Sequence, residues 1–168
     1  MHNIQWNEET LNAMLTEPSR KLIDDVAKIR GDIMILGAGG KMGGDISILA
    51  ARAVKASGGG RKVYAVSRFT NKAVIDRLTA EGVEIIAADL TDDDALDNLP
   101  DCENIIYMAG RKFGTDGSEY LTWGMNSWLP CMTAKRFAKS LVCCSVFIMN
   151  VFCILFTKRI KPDFSTRC

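Results

Sequence analysis

Residues 33–43 constrain the fold of this chain more than any other segment. The short apolar run 33–36 enters a glycine-dense turn, and an alanine-rich segment with helical periodicity leaves it. This order of strand, glycine turn and helix binds a pyrophosphate, because backbone N–H groups at the helix N-terminus face the anion and glycine leaves room for it. We therefore predict a dinucleotide-binding turn at Gly37-x-x-Gly40-x-x-Gly43, with Gly39 in an overlapping Gly-x-Gly.

Size and composition narrow the class of protein. The 168 residues suffice for one domain with a real core, but are few for a cofactor domain plus a substrate domain. A net charge of +1 gives no electrostatic case for nucleic-acid binding. Six cysteines without C-x-x-C spacing and a single histidine argue against a zinc site and against a disulfide-rich secreted domain. The N-terminus has no signal-peptide pattern, so we expect a cytoplasmic protein.

Apolar strands alternate with helical segments beyond the glycine turn. Strands are expected at residues 33–36, 62–66, 83–88 and 105–108, a helix at about 72–80, and a short helix starting at residues 92–94. Strands separated by single helices need crossover connections, which make a parallel sheet with helices on both faces. The sequence thus predicts an α/β fold with a doubly wound parallel sheet of the Rossmann type, incomplete at its C-terminus.

Three regions differ in character along the chain. Residues 1–30 are expected to form a helical extension, in which Asn7 caps one helix and Thr16 with Pro18 starts another. Residues 31–140 form the predicted dinucleotide-binding domain. Residues 141–168 are an apolar and atypical tail that is compatible with a fifth strand.

Further candidate site residues follow the later strands. Ser67 and Arg68 come after strand two, where a Rossmann domain distinguishes the ribose 2′ position. An arginine there can pair with a 2′-phosphate, which favours NADP over NAD. Asp89, after strand three, can accept a hydrogen bond from the adenine amino group, or be an ordinary acidic cap. Lys41 adds positive charge to the turn.

The ordered set of motifs resembles the short-chain dehydrogenase/reductase superfamily, particularly its extended NAD-dependent epimerase/dehydratase branch. The residues that carry the likeness are Gly37-x-x-Gly40-x-x-Gly43, Ala88-Asp89-Leu90, Met108-Ala109-Gly110, and Asn126 in the helix after strand four. The likeness covers about residues 31 to 140.

This resemblance implies a cofactor site and an activity. Gly37, Gly40 and Gly43 would line the pyrophosphate, Asp89 and Leu90 the adenine, and Ala109 and Gly110 the ribose. The complete candidate set is Gly37, Gly39, Gly40, Lys41, Met42, Gly43, Ser67, Arg68, Asp89, Leu90, Ala109, Gly110 and Asn126. The implied reaction is hydride transfer between NADP or NAD and a hydroxyl or carbonyl carbon. A sugar or nucleotide sugar is a candidate substrate, and a homodimer is compatible with the family.

The catalytic motif of that family is missing from this sequence. The family uses Tyr-x-x-x-Lys, in which the lysine on the same helix face lowers the tyrosine pKa. The three tyrosines here are Tyr64, Tyr107 and Tyr120, and four residues beyond them stand Arg68, Arg111 and Gly124. We therefore identify no catalytic residue and expect the chain alone to be slow or inactive.

The apolar segment 141–156 leaves three interpretations open. The chain could be truncated, with an arbitrary tail after a cofactor-binding half. It could instead end in a buried strand and hairpin that complete a small binding domain. The third interpretation, a membrane anchor, is weakened by the length of the segment, since spanning needs roughly 20 residues.

Three functions follow from these observations. The first is an NAD(P)-dependent enzyme of the short-chain family. The second is a non-catalytic NAD(P)-binding module, which the missing motif favours. The third is an inactive remnant with an exposed sheet edge.

Overall fold

The computed structural model describes residues 7–92, 94–111, 117–148 and 151–156. The strands are β1 (Ile33–Leu36), β2 (Val63–Ser67), β3 (Glu84–Ala87), β4 (Asn104–Tyr107), β5 (Leu141–Ile148) and β6 (Val151–Phe156). The helices are α1 (Glu8–Leu15), α2 (Arg20–Val26), α3 (Lys41–Ala56), α4 (Lys72–Ala80), α5 (Glu119–Trp123) and α6 (Leu129–Arg136), with a π-helical segment, Gly124–Trp128, joining the last two.

The described strands form one sheet in the order β3-β2-β1-β4-β5-β6. Neighbouring strands from β3 to β5 are parallel, and β6 runs antiparallel to β5. Leu36 lies opposite both Val66 and Tyr107, so β1, β2 and β4 end at the same edge of the sheet. This is a Rossmann-type arrangement and confirms the predicted doubly wound parallel sheet.

Two apolar cores cover the two faces of the sheet. All four residues of β1 are buried, which is expected of a central parallel strand covered on both sides. On one face, Ile33 and Ile35 pack with Ile48 of α3 and Leu78 of α4. On the other face, a second cluster packs around β1 and β4; its members include Met34, Leu36, Leu96, Leu99, Tyr107, Leu129 and Phe137.

The two N-terminal helices have one expected cap and one unexpected cap. The Asn7 side chain accepts a hydrogen bond from the Thr10 N–H at 2.7 Å, which confirms the predicted cap of α1. The expectation that Thr16 starts α2 was wrong, because Ser19 caps that helix. Thr16 instead ends α1, where its hydroxyl donates to the Asn12 carbonyl at 2.8 Å.

The connection between β3 and β4 also departs from the prediction. Its described residues form successive turns in place of the expected short helix. The Asp92 N–H donates to the Asp89 carbonyl at 3.1 Å, and the Ala95 N–H donates to the Asp92 carbonyl at 3.1 Å. Leu96 and Leu99 are buried, because the turns direct them into the core on one face of the sheet.

The helical region after β4 is continuous across Pro130. The π-helical segment leads into α6, which starts at Leu129 and has Pro130 in its first turn, where a proline is tolerated. The Leu129 N–H donates to the Gly124 carbonyl, five residues earlier. A wider turn of this kind often marks a functional site.

The apolar segment after residue 140 contributes strands. Cys144 on β5 lies opposite Tyr107 on β4, and β6 returns along β5. This is the backbone arrangement that the strand-and-hairpin interpretation expects. Within the described ranges, no helix has the length and apolar character that crossing a membrane requires.

Candidate functional site

A cleft of about 720 Å³ opens at the carboxyl ends of β1 to β4. It lies at the switch point between β1 and β4, where α/β sheets bind ligands. The lining residues from the predicted set are Gly37, Gly39, Gly40, Ser67, Arg68, Asp89, Leu90, Ala109 and Gly110. The structure therefore brings together residues from four separate strand ends.

Two glycines of the turn lie very close to residues at or just after the ends of the neighbouring strands. Gly37 has a φ of +93°, and a Cβ there would lie 2.4 Å from the Ala109 nitrogen. A Cβ on Gly39 would lie 2.4 Å from the Ser67 Oγ. Gly40 differs, since a Cβ there would meet nothing nearer than the Gly37 oxygen at 3.8 Å. The space in front of Gly40 is thus open to a ligand.

Helix α3 begins at this turn, and no side chain caps its N-terminus. Gly40 is its N-cap and has no side chain to accept from the first-turn N–H groups. The N–H groups of residues 41–43 have no acceptor within the helix, because the first turn of any α-helix lacks one. Together with the partial positive charge of the helix end, N–H groups in this position favour a nearby anion.

Three predicted residues of this first turn do not line the cleft with their side chains. The Lys41 Nζ lies 4.0 Å from the Glu8 Oε1, and both side chains are largely exposed. Met42 is 49% exposed. Gly43 is buried, and a Cβ there would lie 2.4 Å from the Gly37 oxygen, so this glycine lets α3 pack closely against the turn. None of these three residues belongs to the described lining of the cleft.

The segment after β2 supplies one wall of the cleft. The Arg68 side chain is 73% exposed, and its Nη1 lies 3.8 Å from the Asp89 Oδ2. Phe69, which the sequence analysis missed, has a φ of +45°, rare for a bulky residue and a form of strain that clusters at functional sites. Its side chain packs against the core beneath α3 and α4, which anchors the segment.

Thr70 and Asn71 complete this wall and were also missed. The Asn71 side chain accepts from the Ala73 N–H at 2.9 Å and caps α4. An asparagine directly before the helical pattern of residues 72–80 is the sequence signal that could have found this cap. The wall therefore combines a cationic side chain with a second helix N-terminus.

Asp89 uses one carboxylate oxygen within its own turn. Its Oδ1 accepts from the Thr91 N–H at 3.0 Å and from the Thr91 hydroxyl at 2.7 Å. These hydrogen bonds, with a smaller contribution from the Arg68 charge, lower the pKa of Asp89 and keep it ionised. The Oδ2 faces Arg68. Leu90 is buried and lines the cleft beside it.

Asn126 supports the turn after β4 and is not itself part of the cleft wall. Its Oδ1 accepts from the Arg111 N–H at 3.0 Å, and its Nδ2 donates to the Arg111 carbonyl at 2.9 Å. A Cβ on Gly110 would lie 3.2 Å from this Oδ1. The Tyr107 hydroxyl donates to the Met125 carbonyl at 2.6 Å. The π-helical segment thus contacts the end of β4 and the turn after it, through the Met125 carbonyl and the Asn126 side chain.

We expect Asn126→Ala to lower the free energy of unfolding by about 1–3 kcal/mol, because it removes the two hydrogen bonds between the Asn126 side chain and the Arg111 backbone. Urea denaturation measures this loss, and Asn98→Ala is the control, since Asn98 is an exposed asparagine. Equal midpoints for the two variants would contradict a supporting role of Asn126.

No tyrosine belongs to the described wall of the cleft. Tyr64 lies half-buried on β2, and burial raises its pKa. Tyr107 is buried, and its hydroxyl is directed to the π-helical segment. Tyr120 on α5 is 72% exposed. The described site therefore has a cofactor-sized cleft without a tyrosine in its wall.

No protein-family model matches this chain, and no curated protein matches it. Similar architectures do occur among solved structures.

WbmF, an enzyme from Bordetella bronchiseptica solved in complex with NAD⁺ and UDP, aligns with a TM-score of 0.51 and 18% identity. The alignment covers 68% of this chain and 34% of WbmF, so this chain spans about a third of the length of WbmF. A protein from Rhodobacter sphaeroides assigned as a Zn-dependent alcohol dehydrogenase aligns with a TM-score of 0.44 and 16% identity, over 88% of this chain and 57% of that one. The likeness to WbmF shows a shared Rossmann-type fold.

Proposed function

We propose that this chain binds a nicotinamide dinucleotide, with the pyrophosphate at the turn between β1 and α3. The observation that carries the proposal is the open space in front of Gly40 beside the uncapped N-terminus of α3. Backbone N–H groups and the helix dipole at this position favour a phosphate anion. WbmF, which shares the fold, was solved with NAD⁺ bound, and this supports the assignment.

The chemistry of the cleft also fits the rest of a dinucleotide. Its volume of about 720 Å³ is within the usual range for cofactor sites. Arg68 and Arg111 contribute positive charge to its lining. In the proposed pose, Asp89 and Leu90 lie at the adenine, Ala109 and Gly110 lie at the nicotinamide ribose, and Asn126 keeps the second turn in place.

NADP is the preferred cofactor in this proposal, because Arg68 stands at the end of β2 with an exposed guanidinium. We expect Arg68→Ala to weaken NADPH binding about tenfold and NADH binding less than twofold, since only NADPH has the 2′-phosphate that an arginine can pair with. Calorimetric titration of both dinucleotides measures the two affinities. Equal losses would show that Arg68 is a general surface charge.

The proposed reaction class is that of the short-chain dehydrogenase/reductase superfamily, in its epimerase/dehydratase branch. A bound nicotinamide would supply hydride transfer, while this chain would position it at the sheet edge. The presence of UDP in the WbmF complex supports a nucleotide sugar as substrate.

The first test is titration of the purified chain with NADPH and, separately, NADH. Micromolar binding of either, with circular dichroism showing a folded sample, is the expected result. A folded sample that binds neither dinucleotide would overturn the proposal.

A non-catalytic NAD(P)-binding module is the second candidate function. Two observations favour it: the sequence has no Tyr-x-x-x-Lys, and no tyrosine belongs to the described cleft wall. Such a module binds the dinucleotide with the same residues but does not oxidise NADPH. Cofactor binding without turnover, across a panel of sugars and nucleotide sugars, would distinguish it from the enzyme.

A further inference from the structure

The ends of β2 and β3 place opposite charges side by side at the wall of the cleft. The Arg68 Nη1 lies 3.8 Å from the Asp89 Oδ2, and both residues line the cleft. The Arg68 side chain is 73% exposed, whereas the Asp89 side chain is only 34% exposed. The carboxylate is therefore the more fixed member of the pair.

The position of Asp89 is set by its own turn. Two hydrogen bonds from Thr91 hold its Oδ1, which leaves Oδ2 directed toward the arginine. An aspartate held in this way stays ionised and cannot easily rotate out of the wall. Arg68, by contrast, is exposed enough to pair either with the Asp89 carboxylate or with a phosphate of a ligand.

From this geometry we infer that Asp89 determines cofactor specificity by opposing the 2′-phosphate of NADP. This inference rests on the proposed dinucleotide function. A 2′-phosphate at Arg68 shares the guanidinium with the Asp89 carboxylate and lies within a few ångströms of a like charge. NAD has a hydroxyl at that position and does not experience this repulsion. The balance between the two cofactors is thus set by the pair and not by Arg68 alone.

The variant Asp89→Asn isolates the charge of this residue. Asparagine keeps an Oδ1 that accepts from Thr91, so the turn is retained. Any effect on adenine is common to NADPH and NADH, and it cancels in the ratio of their dissociation constants. The ratio therefore reports on the 2′ position.

We expect Asp89→Asn to shift this ratio toward NADPH by about three- to tenfold, the size expected for removing one like charge a few ångströms away at a partly exposed site. The shift should shrink to less than about twofold in 1 M salt, where the Debye length is about 3 Å. Asp92→Asn is the matched control, since it neutralises a carboxylate of the same turn that does not line the cleft. It should leave the ratio unchanged.

The titrations separate the possible results. A ratio that stays constant in Asp89→Asn, with both affinities lowered, would overturn the inference and leave Asp89 as an adenine acceptor. An equal shift in Asp92→Asn would also overturn it, because the effect would then reflect net charge. If the folded unsubstituted chain binds neither dinucleotide, the proposed function fails first, and the inference fails with it.

Discussion

Gly40→Val should abolish dinucleotide binding while leaving the protein folded. The backbone at Gly40 is extended, with a φ of −78° and a ψ of 163°, which a valine also adopts. A Cβ there meets no protein atom closer than 3.8 Å, so the added side chain projects into the space that the pyrophosphate needs. We expect at least a hundredfold loss of affinity for NADPH and NADH, and a change in unfolding free energy of no more than about 1 kcal/mol.

Gly44→Ala is the control for this experiment. Gly44 lies in the same helix, a Cβ there makes an ordinary contact of 3.6 Å with the Ala38 oxygen, and the residue does not line the cleft. This variant should bind both dinucleotides as the unsubstituted chain does and should be slightly more stable, by up to about 1 kcal/mol. Titration calorimetry and urea denaturation of the two variants give both quantities. Unchanged affinity in Gly40→Val would refute the pyrophosphate site.

Gly37→Ala should have the opposite effect, a large loss of stability. Its φ of +93° is costly for any residue with a Cβ, and that atom would lie 2.4 Å from the Ala109 nitrogen and 2.7 Å from the Ala109 Cα. The neighbours are backbone atoms of the next strand end and cannot move without displacing β4. Strain and overpacking together should cost about 3 kcal/mol or more.

Urea denaturation of Gly37→Ala measures this cost, with Gly60→Ala as control. A Cβ on Gly60 would meet nothing within 4 Å, so the control should stay within about 0.5 kcal/mol of the unsubstituted chain. Equal midpoints for the two variants would show that the turn can relax away from β4. The close approach of Ala109 would then not be what requires a glycine at position 37.

The elements that the sequence predicted best are those whose residues face a core on a regular period. The expected bounds of β1 and α4 agree with the structure, and those of β2, β3 and β4 differ from it by one residue at each end. Apolar periodicity is a direct consequence of burial, so it can be read from the chain. Helix caps depend on single hydrogen bonds and have no periodic pattern, so they are harder to predict. The sequence identified Asn7 as a cap but not Ser19.

The cleft was only partly predictable for a related reason. Glycines and strand-end residues have sequence signatures, and these identified Gly39, Arg68 and Ala109 as site residues that the structure brings to the cleft. Phe69 has no such signature, because no local pattern predicts its left-handed backbone or its packing beneath α3 and α4. The direction of a long side chain is equally hidden, as the approach of Lys41 to Glu8 shows.

The sequence by itself determined the order of strands and helices, the parallel sheet and the glycine turn, because these follow from local periodicity and from the absence of a Cβ. Only the tertiary structure decided which glycines of the turn pack against neighbouring backbone and which one, Gly40, faces open space. It also placed Asp89 beside Arg68 and joined Asn126 to the backbone of Arg111. Those relations depend on distances between residues far apart in the chain. They are set when neighbouring strands end at one edge of the sheet, and no local pattern encodes them.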